Sequence, residues 1–104
     1  MTIGTHRVIL RGQSKEILWD EEKDVLLQVG RGVGFERVAE MLEQGAYLKI
    51  VDHWNFARHP TQRVFVLEIA GYAYYVPFAE TPAIVFLKTI FPSRKATKLY
   101  LREH

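Results

Sequence analysis

The spacing of apolar residues changes character partway along this chain, and that change limits the folds open to it. Phe35, Val38, Ala39 and Leu42 recur at i, i+3, i+4 and i+7, the single buried stripe of a helix packed on one side. From residue 46 onward the apolar residues come instead in short runs, 46–51, 63–70, 72–78 and 84–91, separated by turn-forming residues. Connections this short favour neighbouring antiparallel pairs. Helices followed by a run of strands read as α+β.

Upstream of the helical stripe, residues 15–19 (KEILW) read as a short strand and Asp20 as the N-cap of a first helix. Val25, Leu26 and Val29 offer that helix one apolar face, and Gly30-Arg31-Gly32-Val33-Gly34 stops it. The second helix covers 35–44. After Pro92, Ser93 is placed to cap a terminal helix over 94–102. The expected architecture is a short N-terminal strand and two helices on an antiparallel sheet of about four strands, closed by a short helix. With 104 residues this makes one domain, 14–104, and residues 1–13 are set apart as an extension, non-native or loosely ordered.

The chain has no cysteine, which excludes a disulfide framework, a thiolate zinc site and a cysteine nucleophile together. No stretch approaches the roughly 18 apolar residues of a membrane span. The first fifteen residues lack the apolar core and cleavage site of a secretory leader. The expected location is the cytoplasm, with no membrane partner.

The net charge of +2 matters less than its distribution. Residues 16–45 hold eight acids against three bases, and residues 88–104 hold five bases against Glu103. Such a dipolar chain attracts phosphate at one end and keeps the other solvated.

Several features invite a chemical role. The glycine run at 30–34 lacks a preceding strand, the G-x-G-x-x-G spacing and a following Gly-Lys-Ser/Thr, so it reads as a helix–helix turn. Asp52, His53 and His59 share a polar loop but no recognised ligand spacing, so a loop-metal hydrolase is the weakest reading. His53 alone suits general acid–base work, because imidazole titrates near neutrality. Strand alternation sends Tyr72, Tyr74, Val76 and Phe78 to one face, against the helices. Tyr75 goes to the other face, where it suits base stacking. Lys88 interrupts an apolar strand, where an ammonium is costly unless it reaches solvent or a partner. Arg94, Lys95 and Lys98 follow Ser93, and Arg63 starts a neighbouring strand. This basic elbow is either a solvated helix or a phosphate cradle.

The segments WDEEK, RGVGFERVAEML, QRVFVLEIAGYAYYVPF and FLKTIFPSRKATK, in that order, resemble the BrnT family of bacterial toxins over about residues 16–100. The resemblance implies a RelE-like fold and a metal-independent ribonuclease without cofactors. It also implies RNA as substrate and a cognate DNA-binding antitoxin that blocks the toxin and represses their shared operon, so that the toxin meets operator DNA only through the antitoxin complex. Carried over by position, Arg94 is first for phosphate stabilisation, Arg63 second and Lys88 a helper. Lys23 and Trp19 of the W-D-x-x-K element border the substrate unless Trp19 is core instead, Lys95 joins them, and His53 and Glu68 are the groups available for proton transfer. The chain departs from the family at Arg31, where many members have His, and at Gly34, where they have Ser. The rival class is a non-catalytic module whose basic end binds nucleic acid or an acidic protein.

Overall fold

The computed structural model of the chain describes residues 2–10 and 12–101. Its elements are β1 (Ile3–Leu10), β2 (Gln13–Asp20), α1 (Glu21–Arg31), α2 (Phe35–Glu43), β3 (Lys49–Asp52), β4 (Gln62–Ile69), β5 (Tyr72–Glu80), β6 (Ile84–Leu87), β7 (Phe91–Pro92) and α3 (Arg94–Tyr100). The fold is α+β, as expected. The sheet is larger than expected and mixed. Among the described residues it has seven strands in the order β1-β2-β6-β5-β4-β3, with β7 also on β5. One pair, β2 with β6, is parallel.

Part of the excess comes from the first thirteen residues. β1 pairs antiparallel with β2 from Ile3↔Asp20 to Leu10↔Gln13, and the chain reverses at Gly12, whose φ is +81°. Val8 and Leu10 enter the core. Gly4 lies so close over Trp19 that a Cβ there would stand 2.0 Å from the indole nitrogen. The strand is shaped to the domain it covers.

The rest comes from the expected strand over 84–91, which divides into β6 and β7. Between the pairs Tyr75↔Phe91 and Phe78↔Leu87, two residues of β5 face three of the opposing segment, Lys88 to Ile90. That is a bulge. Pro77 explains its position. The Pro77 carbonyl accepts from the Lys88 N–H at 2.8 Å, and on that same side proline has no N–H to return. A central strand tolerates proline where the opposing ladder is already broken.

α1 and α2 cover one face of the sheet, where Phe65 stacks on Phe78 with centroids 4.2 Å apart and Trp19 packs on Phe35. The stripe Phe35, Val38, Ala39 and Leu42 is buried as its spacing requires. α1 does not present the face its apolar spacing suggests. Asp24 and Leu27 are buried, whereas Val25, Leu26 and Val29 are 59%, 69% and 83% exposed. The buried Asp24 carboxylate accepts from the Phe35 N–H at 2.6 Å and from Gln28 Nε2 at 2.8 Å. Gly34 offers α2 no side-chain cap, and α1 supplies one from across the turn. The glycine run is the helix–helix turn expected, with Gly32 at φ +72°. Asp20 caps α1 by accepting from the Glu22 N–H.

The opposite face carries a smaller cluster of Val66, Ala73 and Ala96, flanked by Val51, Tyr75 and Tyr100. α3 packs here. Thr97 Oγ1 accepts from the Ala73 N–H at 2.9 Å and donates to the Ser93 carbonyl at 2.8 Å, while the Ser93 N–H donates to the Ala73 carbonyl. Ser93 Oγ caps the helix by accepting from the Ala96 N–H. The helix ends at Tyr100, short of the expected 102, and Arg102 lies outside the described residues.

Candidate nucleic-acid interface

The docking of α3 on β5 decides which side chains meet. Ala96 and Thr97 face the sheet, so Arg94, Lys95 and Lys98 point outward and are exposed. Among the described residues no ion pair engages any of the three. With Leu99 they line a shallow depression of about 600 Å³. Lys95 is also one wall of a second depression, of about 220 Å³, whose other walls are Trp54, Tyr75 and Phe91.

These three rings come from separate elements. Tyr75 faces away from α1 and α2, as strand alternation requires, and β7 sets Phe91 opposite it in register. Trp54 arrives from the 53–61 loop. Its ring centroid is 5.8 Å from Tyr75 and 5.7 Å from Phe91, and Tyr75 and Phe91 are 5.8 Å apart. The loop is held by backbone bonds from the Arg58 and His59 N–H groups to the Asn55 carbonyl. Behind Trp54 sits His53, with centroids 4.3 Å apart, and His53 in turn lies 4.5 Å from His59.

His53 is therefore beside the trough, but its proton chemistry is constrained. Its Nδ1 accepts from the Asn55 N–H at 3.0 Å, so the neutral ring carries its proton on Nε2 and has no spare lone pair. Burial and the neighbouring His59 lower its pKa from the ordinary histidine value, which favours that neutral form. In this arrangement His53 is a hydrogen-bond donor rather than a general base.

The other expected site residues lie elsewhere. Arg63 does not join α3. It stands on the helix-covered face, its Nη2 2.6 Å from Glu80 and its guanidinium over the Phe78 ring. Buried Lys15 reaches the same carboxylate, also at 2.6 Å. Burial works to raise the Glu80 pKa, yet the hydrogen bonds from Lys15 and Arg63, with their charges, hold it below the ordinary carboxylate value. An arginine so neutralised has little charge left for a phosphate.

Trp19 is core, 2% exposed, and donates to Glu21 Oε1. Lys23 shares a depression on α1 with Leu26, Gly30 and Arg31, the last of which donates to the Ile90 carbonyl at the bulge. Glu68 lines a separate hollow with Met41, Tyr47 and Leu48. Lys88 is exposed on the bulge, its ammonium over the Phe86 ring. Among the described residues no three His, Asp or Glu side chains converge on a metal position.

Compared with protein-family models, curated proteins and solved structures, the chain matches none. Trp54 and Phe91 are the members that sequence reasoning passed over. The available signal was composition: Trp54 and Phe56 stand in a polar loop where neither strand nor helix spacing buries them, and they are 61% and 52% exposed.

Proposed function

We propose that this chain is a metal-independent endoribonuclease toxin of a toxin–antitoxin pair, held inactive by a cognate DNA-binding antitoxin. The observation that carries the reading is Lys95, which lines both the depression it shares with Arg94 and Lys98 and a trough walled by exposed Trp54 and half-buried Tyr75 and Phe91. Cations follow the RNA backbone and rings accept unpaired bases, a combination suited to single-stranded RNA. The ordered BrnT-like segments support the same reading.

Cleavage of RNA by attack of a 2′-hydroxyl on the adjacent phosphate puts negative charge on the phosphoryl oxygens. Fixed cations aimed at that charge lower the barrier. Arg94 and Lys95 fill this role. Induction of the chain alone in a bacterial host should arrest growth and fragment RNA, and co-expression of the adjacent gene's small DNA-binding product should restore growth. Arg94→Ala should lower cleavage about a hundredfold while leaving the fold intact, because the side chain is exposed. Normal growth with intact RNA on induction would sink the reading.

One observation favours a second reading. With the His53 lone pair occupied and Glu68 in another hollow, no base lines the trough among the described residues. A non-catalytic module that uses the same surface to bind nucleic acid or an acidic protein fits that gap. Binding lost in Arg94→Ala, with cleavage never seen in any form, would select the module.

A further inference from the structure

We infer that the trough of Trp54, Tyr75 and Phe91 is a subsite for one unpaired nucleobase, with Lys95 taking the phosphate attached to it. This rests on the RNA-directed reading only for the identity of the natural ligand, since base binding needs no cleavage.

The rings belong to three segments, so the trough exists only in the folded chain. Tyr75 is fixed by β5 and packs on Val66 and Ala73. Phe91 is held by its pairing with Tyr75 and Trp54 by the loop bonds described above. A volume of about 220 Å³ is small for an extended ligand and fits one flat ring system. Three aromatic walls also suit a quaternary ammonium. The charges decide against it, because among the described residues no carboxylate lines the trough while Lys95 does, with Arg94 and Lys98 beyond it. A planar group carrying an anion satisfies both the rings and the ammonium. A nucleoside monophosphate unit is such a group. Stacking tolerates any base, so hydrogen-bonding groups at the rim set whatever preference there is.

The protein carries its own reporter. It has two tryptophans, of which Trp19 is 2% exposed and Trp54 is 61% exposed, so quenching by an added nucleotide reports on Trp54. The four ribonucleoside 5′-monophosphates, their nucleosides and ribose 5-phosphate are titrated into the full chain. At least one monophosphate should quench saturably and its nucleoside more weakly, while ribose 5-phosphate leaves the signal unchanged. Tyr75→Ala should weaken the monophosphate about tenfold or more. Lys95→Ala, exposed and expected to fold normally, should weaken the monophosphate but not the nucleoside. Ribose 5-phosphate competing as well as the nucleotide would leave only an anion site and overturn the inference. Fluorescence unmoved by every nucleotide yet moved by a protein partner would make the trough a protein contact, which also overturns it. A chain that binds nucleotides but never cleaves RNA defeats the toxin reading and leaves this one standing. Cleavage without nucleotide binding does the reverse.

Discussion

Asp24 shows what a single residue can decide here. Its carboxylate caps α2 from within α1, and the Phe35 N–H it receives is fully buried. Asp24→Ala leaves that donor without a partner and should cost about 2 kcal/mol in urea unfolding. Gly34 is tied to the same carboxylate. A Cβ at Gly34 would stand 2.8 Å from Asp24 Oδ1 and 2.9 Å from Gln28 Nε2. Gly34→Ser should therefore destabilise the chain by itself yet recover stability in the Asp24→Ala background, where the hydroxyl has room to cap. A double-mutant cycle with no coupling would show that the two residues do not share this task. The caps Asp20 and Ser93 were legible in sequence because each sits next to the helix it serves. Asp24 was not, since its partner lies eleven residues on and only the packed turn brings them together.

Among the elements, β1 was the least legible and its attachment is the most sensitive to pH. Its inward residues His6, Val8 and Leu10 alternate correctly, but Ile9 on the outer side and the polar His6 weaken the pattern. The structure supplies what His6 is for. Nδ1 lies 3.0 Å from Glu36 and Nε2 3.0 Å from Glu43, both on α2, and only the imidazolium has two N–H groups to donate. The hydrogen bond to Glu43 raises the His6 pKa, burial opposes it, and Glu36 adds to the rise. A group whose pKa is higher folded than unfolded stabilises fully below its unfolded value of 6.5, and that contribution fades as pH climbs through the raised folded value. The urea midpoint of the native chain should thus fall as pH rises above 6.5, with amide exchange in β1 accelerating. His6→Asn should flatten that limb. Equal pH profiles for the two proteins would remove His6 as the cause. The division of β6 from β7 was hidden for a different reason. The apolar run over 84–91 is continuous in sequence, and the break is imposed by Pro77 on the partner strand.

At the scale of the whole molecule, the charge asymmetry is plain in the sequence, but which basic residues share a surface is a matter of sheet faces. Arg63 and Tyr75 lie on neighbouring strands, yet alternation sends them to opposite sides, where Arg63 meets Glu80 and Tyr75 meets Trp54. Counting bases along the chain could not separate them, because the Lys15–Glu80–Arg63 cluster joins residues far apart in sequence. On the proposed reading the α3 group is what meets RNA, and this gives a quantitative expectation. Each phosphate neutralised on a single strand contributes about 0.7 to the slope of log affinity against log salt. If Arg94, Lys95 and Lys98 each meet one phosphate, replacing all three with alanine should flatten that slope by roughly two units. Replacing Arg63 should leave it nearly unchanged, since its charge is already matched inside the fold. Anisotropy of a labelled single-stranded RNA at several salt concentrations reads both. A slope that responds to Arg63 and ignores α3 would move the RNA path to the helix-covered face. The measurement thus tests the assignment of faces, and it does so without requiring that the chain cleave anything.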